Sequence, residues 1–346
     1  MTSSTGTSIS TPPISEHPFA PFVRALGKGP QLARHLTEAE AFEAGCMVMD
    51  GRVEPIQLGA FLCLMRVMGE TPEELAGLVR AARQSLRPWP SNPAADLDWP
   101  AYAGKKHRLP WFLLSALLLG GAGIRVLMHG GAEHTAGRQF TETALAALGI
   151  APARTIDEAV NRLADGGFAY LPLSTISARL GELLTLKPII GLRSPFHTVA
   201  KALNPFDAPC QFIGVAHPPY RSLHQIAGAL LGQKRLAVLK GDGGEAERRP
   251  EKPLDVAVVD GASTAEEIWP ALLDSASLPH EDPTDLDRLR AVWIGATVDP
   301  IAESIVCGTA AVALKALGRA SAQNEAQSLS EALWRDRDKH GLKGAD

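Results

Sequence analysis

Residues 120 to 131 read GGAGIRVLMHGG, and residues 191 to 206 read GLRSPFHTVAKALNPF. The first stretch is a β run held between glycine turns. Gly120-Gly121 ends an apolar helix expected over Trp111 to Leu119, Ile124 to Met128 makes a short strand, and His129-Gly130-Gly131 turns the chain. Further apolar runs of strand length follow at Phe168 to Leu171, Cys210 to Gly214, Arg235 to Leu239 and Leu254 to Val259. Helical stretches lie between them: Glu142 to Leu148 (closed by Gly149), Thr155 to Leu163, Ile176 to Leu184 and Ser222 to Leu231. Alternation of this kind predicts an α/β domain with a mostly parallel central sheet. Residues 263 to 288 mix a helical start with acidic and small polar residues. Ile301 to Leu317 and Asn324 to Arg335 are expected to pack as closing helices.

Upstream the pattern is helical only. Thr37 with Glu40 forms a capping box, Glu54-Pro55 opens a second helix, and Thr71-Pro72-Glu73-Glu74 opens a third. The expected organisation is a flexible tail over 1–18, a small all-helical domain over 19–86, a hinge or linker over 87–109, and an α/β domain over 110–346. The closing helices are free to pack near the hinge.

The composition is that of a soluble globular protein, with 346 residues, 45% hydrophobic and 21% charged, and a formal net charge of -4. An acidic total does not forecast nucleic-acid binding, although that activity depends on where charge sits. Four scattered cysteines (Cys46, Cys63, Cys210, Cys307) fit a reduced, cytoplasmic protein without a zinc site. The polar N-terminus lacks a signal-peptide core, and the run Trp111 to Leu119 is too short to span a membrane.

Several segments carry a resemblance: Thr37-Glu38-Ala39-Glu40, Val48-Met49-Asp50-Gly51, Gln57 to Leu62, Leu64-Met65-Arg66 and Gly69-Glu70-Thr71, followed by His129-Gly130 and Gly191-Leu192-Arg193-Ser194. Together they resemble anthranilate phosphoribosyltransferase from about Phe19 to Leu333. The helical block is also similar to that of the pyrimidine-nucleoside phosphorylases. The stretch Arg193 to Phe206, with Lys201 and Asn204-Pro205-Phe206, is similar to the divergent YbiB-type branch. That narrower resemblance implies a homodimer, joined through the helical domain at residues such as Phe42, Leu58 and Leu62, that binds nucleic acid.

The resemblance also shows departures. The family cradles pyrophosphate in a Gly-Thr-Gly-Gly-Asp loop, whose glycines let backbone amides approach oxygens. The nearest segment here is Tyr102-Ala103-Gly104-Lys105-Lys106. The family's Lys-His-Gly-Asn-Arg becomes Met128-His129-Gly130-Gly131-Ala132, so two cationic positions are neutral. Arg193 matches the position that holds the acceptor's carboxylate, while His197 and Lys201 replace asparagine and proline. The acidic pair for magnesium falls near Glu245-Ala246-Glu247, which makes Glu245 and Glu247 the metal candidates.

Two readings follow. One is a nucleic-acid-binding protein on a phosphoribosyltransferase-like scaffold. It would hold DNA or RNA backbone in a salt-dependent, sequence-nonspecific way through Lys105, Lys106, His107, Arg108, Arg193 and Lys201, and would lack anthranilate phosphoribosyltransferase activity. Arg193, His197 and Lys201, spaced by four, would share one helix face. Trp89 and Trp99 would stack on bases if exposed and pack a domain junction if not. The alternative is pentosyl transfer to an unidentified acceptor. Gly104, His129, Gly130, Arg193, His197, Lys240 and Glu245 would then bind phosphate or a phosphorylated small ligand. Bland alternatives exist for each: a solvated loop for Lys105 to Arg108, a turn-satisfying His129, a generic glycine turn after Lys240. Arg179 and Lys187 are expected to add charge near the cleft, and Arg248-Arg249 is read as solvent-facing. No cofactor is expected except magnesium if transfer is retained.

Overall fold

The computed structural model describes residues 16–86, 94–131, 137–274 and 278–339. Trp89, Ala132, most of the proposed tail and residues 87–93 of the proposed hinge therefore lie outside the described residues. Four helices build the small domain: α1 (Ala20–Gly27), α2 (Glu38–Met49), α3 (Pro55–Met68) and α4 (Pro72–Ser85). The local signals work as expected. Thr37 accepts from the Glu40 amide and Thr71 from the Glu74 amide, and both capping boxes close. Leu58 (8% exposed) and Leu62 (1%) pack inside the chain's own core, while Phe42 is half-buried.

Among the described residues, seven strands form one sheet: β1 (Leu97–Ala101), β2 (Val126–Gly130), β3 (Phe168–Pro172), β4 (Cys210–Val215), β5 (Arg235–Lys240), β6 (Leu254–Asp260) and β7 (Ser263–Trp269). Their order is β3-β2-β1-β4-β5-β6-β7. The first five run parallel, and β6 and β7 are antiparallel additions. The expected α/β class with a mostly parallel sheet is therefore what the chain forms. Two strands differ from expectation. β1 lies in the segment read as a hinge, yet all five of its residues are buried at the centre of the sheet. β7 replaces the helical start expected after residue 263.

The apolar helix α5 (Phe112–Gly121) and the helix Pro300–Ala316 cover one face of the sheet, and the last helix, Gln323–Asp336, packs on the latter. Trp99 is fully buried, edge-on to Phe212 at 4.7 Å and stacked on Phe112 at 6.4 Å, so it packs the interior and offers no face to a base. No helix among the described residues is long and apolar enough to cross a membrane.

Arginines fasten the helical domain to the α/β domain. Arg80 donates to Leu230 O (2.6 Å), Arg83 to Leu203 O (2.7 Å) and Arg66 to Tyr220 Oη (3.0 Å), and Arg179 reaches back to Val48 O (3.0 Å). Arg179 thus ties the seam, while Lys187 sits half-buried in a short helix, Lys187–Ile190.

Candidate functional site

Parallel sheets present their ligand sites at the carboxyl ends of the strands, where the loops leave. Three such loops meet here, after β1, β2 and β5. The β1 loop carries Ala103 and Gly104, with Gly104 in the left-handed region at φ 67°. Their two consecutive amides point at one acceptor, as an anion cradle requires. That acceptor is an internal carboxylate: Ala103 N and Gly104 N donate to Glu245 Oε1 at 2.7 and 2.6 Å. Glu245 is 1% exposed, and its Oε2 has no hydrogen-bond partner among the described residues.

The segment that carries Glu245 is pressed against the sheet. A Cβ on Gly214 would come within 2.2 Å of Ala246 N, and one on Gly241 within 1.5 Å of Glu245 O, so both positions need glycine for close backbone approach. Arg138 then locks the arrangement, since its Nη1 donates to Ala103 O (2.8 Å), Gly104 O (3.0 Å) and Gly243 O (3.2 Å). One guanidinium therefore bridges the β1 and β5 loops.

The expected basic patch is only partly at the surface. Lys105 is fully buried, and its ammonium is ion-paired with Asp242 and Glu247. Burial opposes its charge, but Glu247 and Asp242 together hold its pKa above the ordinary lysine value. Glu247 also accepts from Phe112 N at 2.9 Å. Only Lys106 and His107 of the cluster are exposed, with Arg108 intermediate. The expected cationic stripe fails likewise. In the short helix Phe196–Lys201, His197 is 0% and Lys201 4% exposed, because that face packs inward. The Lys201 ammonium donates to Gly214 O and to Gly244 O (2.7 Å), and burial lowers its pKa to about 8. Arg248 is 1% exposed and lies over the Trp269 ring at 5.3 Å, contrary to a solvent-facing reading, whereas Arg249 is half-buried and pairs with Glu251.

His129 is fully buried and faces the interior. Its Nδ1 lies 2.7 Å from Tyr102 Oη and its Nε2 3.1 Å from Asp98 Oδ1, and Gln211 donates to Asp98 Oδ2 at 2.9 Å. Gly130, at the end of β2, leaves room for Ala101 O, which a Cβ would approach to 2.5 Å. Lys240 is exposed at the end of β5.

Magnesium does not fit the acidic residues as they stand. Glu245 is held by two amides, and the Lys105 ammonium already occupies the place of a cation between Asp242 and Glu247. Among the described residues no group of three His, Cys, Asp or Glu side chains is poised for a metal.

Beside the loop lies a cavity of about 100 Å³. Arg66 and Glu70 of α3 and its C-terminal end enter it from the helical domain, and Arg193, Lys201, Tyr220 and His224 from the α/β domain. Arg193 is half-buried. Arg66 donates to Tyr220 Oη, which donates to Glu70 Oε2 at 3.3 Å. His224 is 2% exposed, and burial, reinforced by Lys201 and Arg193, lowers its pKa to about 3, so the imidazole is neutral. Reasoning from sequence missed Arg66, Arg138, Tyr220 and His224 as site residues. The spacing of His217, Tyr220 and His224 by three and four, which aligns positions on one helical face, is the signal that marks the last two.

Known proteins resemble the chain in both sequence and fold. Residues 20–86 match the model of the glycosyl transferase family, helical bundle domain. Anthranilate phosphoribosyltransferase of Moorella thermoacetica is 28% identical over 306 residues, which cover 86% of this chain and 90% of the relative. That of Syntrophobacter fumaroxidans is 28% identical over 291 residues, covering 81% and 85%. The crystal structure of anthranilate phosphoribosyltransferase from Thermus thermophilus superposes with a TM-score of 0.72 at 22% identity, over 90% of this chain and 94% of that one. The Saccharomyces cerevisiae enzyme in complex with PRPP and Mg gives 0.71 at 16% identity, over 92% and 93%.

The chain has the anthranilate phosphoribosyltransferase fold. In that fold's frame, the expectation of a nucleic-acid-binding protein without transferase activity is corrected. The relatives and structural neighbours are anthranilate phosphoribosyltransferases. Lys105 and Lys201, on which a basic track along the cleft depended, are taken up by internal partners.

Proposed function

We propose that the protein is a glycosyltransferase that moves a phosphorylated pentose from a pyrophosphate-bearing donor to a small anionic acceptor. The observation that carries this reading is the convergence of Arg66 and Arg193, one from each domain, on a single cavity. Lys201 lines that cavity and binds Gly244 O, the carbonyl next to Glu245, so the cavity abuts the amide cradle. Two guanidiniums favour a carboxylate. The Ala103 and Gly104 amides suit a phosphate oxygen once Glu245 yields them. Catalysis would rest on holding donor and acceptor in register and on preorganised charge where the leaving group forms. The curated relatives' names and the PRPP-bound yeast enzyme support the same chemistry. We also place the chain in the divergent YbiB-type branch of this fold. That placement rests on Lys201 and Asn204-Pro205-Phe206, where Asn204 takes a left-handed turn (φ 43°) and binds Ala208 through both its amide atoms.

The test is pyrophosphate release from PRPP, with and without magnesium, in the presence of anthranilate and other aryl carboxylates. Release is expected only when an anionic acceptor is present, and Arg193→Ala should cut it roughly ten-fold or more. No release with any acceptor, or an unaffected Arg193→Ala, would defeat the proposal.

A homodimer through the helical domain is the partner we propose. Ile56 (83% exposed), Val67 (81%) and Leu32 (63%) stand out from that domain as large apolar side chains in water. Light scattering after size exclusion is expected to give twice the chain mass for the protein and a smaller species for Ile56→Asp; a wild-type monomer at micromolar concentration rules the dimer out.

A further inference from the structure

We propose that His224 determines acceptor specificity: its Nδ1 accepts a hydrogen bond from an N–H or O–H group that the acceptor carries beside its anionic group. This rests on the transferase reading of the Arg66–Arg193 cavity. His224 lines that cavity at 2% exposure, and its Nδ1 has no hydrogen-bond partner among the described residues. A buried polar atom left without a partner is costly, and a ligand that settles against the His224 side of the cavity would satisfy it.

Among the charged and aromatic groups beside it, none offers a free buried acceptor, and the hydroxyls of Ser194 and Thr198 and the ring of His217 line other parts of the wall. Tyr220 accepts from Arg66 and donates to Glu70. Arg193 and Lys201 are donors only. With the proton on Nε2, His224 Nδ1 is a buried acceptor that no donor among the described residues takes. Burial with two cations close by keeps the ring uncharged at neutral pH, so one ring nitrogen always bears a lone pair. The complementary ligand is an anion, drawn by the guanidiniums, that also presents a donor. A plain carboxylate satisfies the cations and leaves Nδ1 bare.

The experiment is calorimetric binding of anthranilate, salicylate and benzoate to the full-length protein and to its His224→Phe and His224→Gln variants. Phenylalanine keeps the ring's bulk without an acceptor, and glutamine restores one. Wild type is expected to bind anthranilate and salicylate roughly ten-fold more tightly than benzoate. His224→Phe should bind all three with the affinity that wild type has for benzoate, and His224→Gln should recover part of the preference. Equal affinities in wild type, or a preference that survives in His224→Phe, overturn the assignment while leaving the acceptor cavity in place. Failure of all three to bind wild type overturns both the assignment and the acceptor reading. A residue that merely packs the cavity would weaken all three ligands alike, so the ratio between ligands separates the two roles.

Discussion

Replacing Glu245 by alanine is expected to tighten the binding of metal-free pyrophosphate by about ten- to one-hundred-fold. In the native chain, an incoming oxyanion must evict a carboxylate that already takes both the Ala103 and Gly104 amides. A hydrogen bond to a charged group contributes about 1.5–3 kcal/mol, and each ~1.4 kcal/mol is a factor of ten in affinity. Removing the competitor also removes like-charge repulsion inside a site that is 1% exposed at this side chain. Glu245→Gln should fall between, because its amide oxygen still accepts from the cradle but carries no charge. Titration calorimetry in chelator measures all three. Unchanged or weaker binding by the alanine variant would show that the anion does not use these amides.

The second large effect concerns stability. Lys105→Met should cost about 3–5 kcal/mol, because it strands Asp242 and Glu247 without their counter-charge in a site largely sealed from water. Lys106→Ala, one residue away and exposed, should change stability by less than about 0.5 kcal/mol. Urea denaturation of the two variants gives the comparison. Similar midpoints for both would return Lys105 to the status of a surface charge.

These two residues also show what the sequence discloses and what it conceals. Helix starts are local facts. Thr37, Glu54 and Thr71 announce themselves within four positions, and the structure places helices where they say. Strands of apolar residues, such as Cys210–Val215, are equally plain. β1 is not, because Asp98 and Pro100 argue against a central strand; Gln211, from the neighbouring strand, supplies the partner that lets Asp98 sit there. β7 hides because five of its seven residues are exposed and Glu266 and Glu267 read as solvent-facing.

The site is harder to read than the fold. Lys105 reads as part of a solvated run because its partners stand 137 and 142 residues away. Glu245 reads as a metal ligand, since nothing in sequence shows that backbone amides compete for a carboxylate. Arg193 is legible through resemblance, but Arg66, which meets it from the other domain, has meaning only once its side chain reaches Tyr220 of the Pro219–Leu230 helix.

The arginine bonds across the domain seam have a thermodynamic corollary. Where two lobes swing freely, a ligand must first pay the entropy of bringing them together, and that cost is subtracted from its affinity. Here Arg80, Arg83 and Arg179 hold the lobes through main-chain carbonyls before any guest arrives. Occupancy of the cleft should therefore leave the radius of gyration in solution nearly constant, and binding strength should track the chemistry of the walls more than the work of closure.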